Sequence, residues 1–280
     1  MAIAPSTFEM TQHSRLGVAH LLLWTCGVAA GLRWYLALLP DDLQLLPEWW
    51  VAWLGYVYTS VMGFVFGTFL AGTAVIAYHR YRHSQRNPRL PGHWLLLLGF
   101  AAVLAAGTTI VCDVVMWSSS PKPAPSASTY WCQFSTGWAP AGPALKHQTI
   151  AWGLGSIAAL GFLLNVRGQL SRSWVGAFAV FFASSLILFG GYLVALLRHM
   201  GLDSGGSWLW LWWWYLVWCR RCGEIYTTLV LACAAGILGA IVHDCRRRVQ
   251  SDWLHWAGIG ACLVVAAMQI ATFTVIAFHS

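Results

Sequence analysis

The chain has 280 residues, of which 59% are hydrophobic, 15% aromatic and only 9% charged, with a formal net charge of +7. Soluble domains carry about 25% charged residues, so this chain cannot cover a water-facing surface, and lipid must be its solvent over much of its length. The positive balance does not point to nucleic acid, because the basic residues fall in short turns between apolar stretches and form no stripe with exposed aromatics.

Crossing about 30 Å of hydrocarbon takes roughly 20 apolar residues. Seven stretches meet that requirement, at about 16–39, 53–78, 94–117, 148–165, 174–197, 222–242 and 254–278. The first is too long for the apolar region of a signal peptide and carries Arg33 and Trp34 near its far end, so it reads as a retained span. The expected architecture is an all-α, seven-helix transmembrane bundle forming one domain over residues 1–280.

Orientation follows from arginine placement. Arg15, then Arg80, Arg82, Arg86 and Arg89, then Arg167 and Arg172, then Arg246, Arg247 and Arg248 occupy one set of alternate turns. The other set holds Lys122, Lys146 and Arg198 with Asp41, Asp42, Glu48 and Asp203. The arginine-rich side is expected to be cytoplasmic, or its organellar equivalent. That places the N-terminus inside and the C-terminus outside a bacterial cytoplasmic or organellar inner membrane.

The stretch Trp208 to Trp218 reads WLWLWWWYLVW. As a separate span it would carry Arg246 to Arg248 to the outside, against the charge rule. It is expected to be an outer interfacial Trp-rich segment, or an N-terminal extension of the sixth span. Pro121, Pro123, Pro125, Pro140 and Pro143 make the outer loop 118–147 largely irregular. All ten prolines lie outside the seven spans, which favours unbroken helices. Gly27 and Gly31 in the first span, and Gly63, Gly67 and Ala71 in the second, recur every four residues. Each set leaves one helix face flat enough for another backbone to approach.

The second and sixth spans end in His79 and His243, each followed by arginines, and the third and seventh open with His93-Trp94 and His255-Trp256. The two hairpins read alike, as a duplication or as convergent cytoplasmic turns. With His20, these give five histidines on five spans, all within about two turns of the inner interface. Imidazole ligates metals and haem and carries protons near neutral pH, and an ionisable group inside a membrane is a functional hypothesis by default. His20, His79, His93, His243 and His255 are therefore the expected cofactor-binding set. The two hairpins would present four of them together if packed face to face. Helix ends also let a histidine reach water, so a purely interfacial role stands beside that reading.

His79 and His83 form an HxxxH pair on one helix face and are a possible metal pair. Their context, AYHRYRHS, resembles the first histidine box of membrane fatty-acid desaturases, but the further HxxHH-type boxes of those di-iron enzymes are absent here. Cys219-Arg-Arg-Cys222 is a CxxC whose arginines favour thiolate. With Cys132 in the outer loop it resembles the thiol centres of quinone-linked thiol oxidases of the disulfide-forming and vitamin-K-reductase kind. Those are compact four-helix units with a different frame. In the outer half, Arg33 and Asp113 should lie at similar depth, and Glu224 lies one turn below Arg220 and Arg221. Unpaired, each would cost roughly 2–4 kcal/mol, so pairing is expected. The alternative to structural pairing is a quinone headgroup or an anionic substrate at these arginines.

The last span has no lysine to hold retinal, and the chain has no nucleotide loop, GxSxG or HExxH pattern. The leading functional expectation is a redox or cofactor-bearing membrane subunit using haem, a metal ion or a quinone. A small-solute or proton-coupled carrier, a lipid-modifying metalloenzyme and a structural subunit of a larger membrane complex are the alternatives. The expected partners are the lipid bilayer and other membrane subunits.

Overall fold

A computed structural model describes residues 18–37, 49–83, 90–118, 143–199, 209–247 and 251–279. Its side chains are described over 18–33, 53, 56–81, 90–104, 149–150, 152–197, 224–247, 251–271 and 274. Helix is the regular structure throughout these residues. In chain order the helices are α1 (Val18–Ala37), α2 (Trp49–His83), α3 (Pro91–Ser118), α4 (Pro143–Val166), α5 (Arg172–His199), α6 (Leu209–Arg247) and α7 (Trp253–His279). Within the described residues, α2, α5, α6 and α7 each hold a stretch long and apolar enough to cross a membrane: Tyr56–Tyr81, Arg172–Leu197, Glu224–Arg247 and Trp253–Ala271.

The ends of the helices follow local chemistry. Pro91 and Pro143 open α3 and α4, where a missing N–H removes no helical bond and the fixed φ suits the first turn. Asp252 precedes α7 and accepts the His255 backbone N–H at 2.8 Å, which caps that helix. The Trp-rich stretch belongs to α6, which runs unbroken for 39 residues. At 1.5 Å per residue that is about 58 Å, well beyond the hydrocarbon thickness. Of the two sequence-based expectations for this stretch, the extension of the sixth helix is the one found.

Helices α3, α4, α5, α6 and α7 form a closed ring in which each packs on the next and α7 returns to α3. The interior between α3, α5 and α6 is filled by Leu95, Trp174, Ala177, Phe178, Phe181, Cys233 and Ile237. They leave a void of about 10 Å³, at the lower limit for one water molecule. Helix α2 lies outside this ring against α3 and α7, and α1 packs against α2. Outward-facing side chains such as Leu22, Ile157, Leu164, Leu231 and Val242 are exposed and apolar.

Two helix pairs meet backbone to backbone. Between α1 and α2, a Cβ added to Gly31 would fall on the Gly63 carbonyl oxygen and within 2.7 Å of the Gly67 nitrogen, and one added to Gly67 would fall on Val28 and Gly27. The four-residue glycine pattern thus joins the first two helices to each other. Between α3 and α7, a Cβ on Gly258 would strike the Gly92 carbonyl, and one on Gly92 would strike the His255 carbonyl. Without a hydrophobic driving force between helices in lipid, such close approach gains dispersion contact along the whole seam. Polar pairs add to it: Trp24 Nε1 donates to Thr68 Oγ1 at 3.1 Å, and Gln269 Nε2 donates to Tyr58 Oη at 3.0 Å.

Candidate functional site

The polar side chains gather at one end of the bundle, where α1, α3, α5 and α7 begin and α2 and α6 finish. His20 is the third residue of α1 and His79 lies in the last turn and a half of α2. Their Nε2 atoms are 3.1 Å apart, with ring centroids at 5.3 Å and planes tilted by 35°. Trp253, the first residue of α7, covers the His20 ring at 5.8 Å. Both imidazoles are half-buried, so the pair sits at the mouth of the bundle.

A second group joins α3 to α7. His93 Nε2 lies 3.1 Å from both Asp252 carboxylate oxygens. The same carboxylate takes the His255 N–H. Burial pushes the Asp252 carboxyl up, but the hydrogen bond and charge of His93 and the His255 N–H outweigh it, so the group stays below its ordinary value. The His255 ring is buried, and its Nδ1 accepts the Gly92 backbone N–H at 2.9 Å. A nitrogen that accepts cannot carry the proton, so the His255 proton sits on Nε2. The ring also meets Trp174 edge-on at 6.1 Å. Trp174 Nε1 in turn donates to Asp244 on α6 at 2.6 Å, a short bond of the charge-assisted kind. A continuous line of contacts therefore runs from α6 through α5 and α7 to α3.

The expected histidines are thus distributed over two groups. His20 joins His79, and His93 and His255 share Asp252. His243 is half-buried on α6 beside Asp244 and belongs to neither pair. Among the described residues no three His, Cys, Asp or Glu side chains come together as metal donors, so the four-histidine set of the two hairpins is not one cluster. Helices α3 and α7 cross tightly at Gly92 and Gly258, and there His255 bonds the Gly92 N–H of α3 while His93 lies against Asp252 at the start of α7.

Arg33 is exposed on α1 and Glu224 is exposed on α6. The side chains of His83, Asp113, Cys219, Arg220, Arg221 and Cys222, and the whole of Cys132, lie outside the described residues, so the expected thiol centre and the expected Arg33–Asp113 pair fall there.

Sequence reasoning missed Asp244, Asp252, Trp174, Gly92 and Gly258. Asp252 had a local signal, because an acidic residue directly before an apolar run is an N-cap pattern. Asp244 and Trp174 are 70 residues apart and had none. No family model matches this chain, and no match is found among curated proteins or solved structures.

Proposed function

We propose that this protein is a seven-span membrane subunit, with the arginine-rich end in the cytoplasm, that carries a redox-type cofactor at its histidine end. One observation carries the reading: His20 and His79, from two different helices, bring their Nε2 atoms within 3.1 Å of each other. Two imidazole nitrogens so close at a helix-bundle end are spaced as neighbouring metal ligands are. Haem does not fit between His20 and His79, because imidazoles on opposite faces of the iron would stand about 4 Å apart. A metal ion does fit. The outer arginines and the CxxC of α6 would then face a quinone or a partner subunit.

The test is the absorption spectrum and metal content of the full-length protein purified in detergent without added metal. A stoichiometric metal or a visible chromophore is the expected result. Colourless, metal-free protein would overturn it.

The His93–Asp252 pair favours a second reading, a proton-coupled carrier. A histidine held against a carboxylate at the mouth of a bundle can take up and release a proton. His93→Gln would then abolish proton uptake that accompanies turnover, while leaving any metal content unchanged.

A further inference from the structure

The glycine seam between α1 and α2 leads directly to the His20–His79 pair. On α2, Gly63, Gly67, Ala71, Val75 and His79 succeed one another in steps of four, which places them on one ridge of the helix. On α1, His20, Trp24, Gly27 and Gly31 step by four, three and four along the facing ridge. The glycine contacts follow this order, Gly31 meeting Gly63 and Gly67 and Gly27 meeting Gly67 and Ala71, while Trp24 reaches beside the ridge to bond Thr68. Backbone against backbone leaves little room for α1 to slide or roll, so the two imidazoles at the end of the seam are held in register before anything binds them.

We infer that His20 and His79 are neighbouring ligands of one transition-metal ion of the imidazole-preferring class, fixed in place by the glycine seam. This rests on the cofactor reading above and narrows it to a bare ion. Two nitrogens each 2.0–2.1 Å from a tetrahedral metal stand about 3.3 Å apart. The observed 3.1 Å needs an adjustment of only a few tenths of an ångström. Without an ion, the two Nε2 atoms share a single proton between them. With one, both lone pairs turn to the metal and each ring keeps its proton on Nδ1.

Neither partner is a carboxylate, which disfavours magnesium and calcium and favours copper, nickel or zinc, with copper tightest. The half-exposed position of both rings gives an ion a route in from the aqueous side.

The full-length protein, stripped with chelator in detergent, would be titrated separately with Cu²⁺, Ni²⁺ and Zn²⁺. Stoichiometry would come from mass spectrometry, and the Cu²⁺ ligands from electron paramagnetic resonance. The expected result is one ion per chain, tightest for Cu²⁺, with two imidazole nitrogens in the spectrum. His20→Ala and His79→Ala should each lower affinity by at least about tenfold, a loss seen even for residues that merely orient a ligand. Gly67→Leu, which drives a side chain into the Val28 and Gly27 backbone, should weaken binding although both histidines remain, while Gly260→Ala should not. Circular dichroism would show that the variants stay helical.

Unchanged affinity in both histidine variants overturns the site. If the protein as purified still carries metal or a chromophore after both substitutions, the cofactor reading survives and this site does not. If wild-type protein neither carries nor takes up an ion, both fall.

Discussion

Replacing Gly258 with alanine adds one methyl group at the point where α7 crosses α3. That carbon would land on the Gly92 carbonyl oxygen, 2.9 Å from its carbon and 3.0 Å from Leu96 Cγ. The obstacle is mostly backbone on a rigid helix, so no rotamer change relieves it and the helices must part by about an ångström. Overpacking of this kind costs about 1–3 kcal/mol. The same movement stretches the 2.9 Å bond from the Gly92 N–H to His255 Nδ1, and leaving a buried donor unmade costs a further 1–3 kcal/mol or so. The better helix propensity of alanine returns at most about 1 kcal/mol. The expected net loss is about 1–5 kcal/mol.

Thermal unfolding in detergent, followed by circular dichroism, reads it directly. Gly260→Ala is the control, since a Cβ there meets nothing within 4 Å. It should be neutral or slightly stabilising. If Gly258→Ala unfolds together with wild type and with Gly260→Ala, the two helices do not cross at these glycines.

Reporter fusions within 79–93, 166–173 and 244–252 should give cytoplasmic signals, and one within 118–147 an external signal. The same sidedness for 79–93 and 118–147 would sink the seven-span arrangement. Asp252 is held below its ordinary value by His93 and the His255 N–H, so its contribution to stability is present above the unfolded value of about 3.9 and fades as pH falls through the lower folded value. Asp252→Asn should remove that part of the acid dependence. An identical acid profile in the variant would contradict it. Trp174→Phe removes the 2.6 Å bond to Asp244 and leaves a carboxylate without its donor, at an expected cost of about 1–3 kcal/mol. Unaltered unfolding would show that the bond contributes nothing.

The helices were legible in the sequence because long apolar stretches between polar turns form them, and four of them are long and apolar enough to cross a membrane. The α1–α2 seam was legible in part: glycines every four residues announce a flat face, though not which helix covers it. The histidine positions were legible as helix ends. Their grouping was not. His79 was set beside His243 because both finish a helix before an arginine turn, yet His79 meets His20. The α1–α2 seam brings His79 to His20, and the crossing of α3 and α7 at Gly92 and Gly258 groups His93 with His255, a contact between residues far apart in sequence with no local pattern to mark it. Asp252 had a local signal, because its position directly before α7 has the chemistry of a cap.

The way α1 is attached has a consequence for how the protein is made. In chain order α1 and α2 come before the ring of α3 to α7, so they are synthesised before it. Their seam needs no later helix, so this hairpin can close while the rest of the chain is still being translated. His20 and His79 would then meet early, with only the Trp253 cover still to come. The Asp252 junction joins α3 to α7, about 160 residues further along the chain, so it has to wait for that later helix.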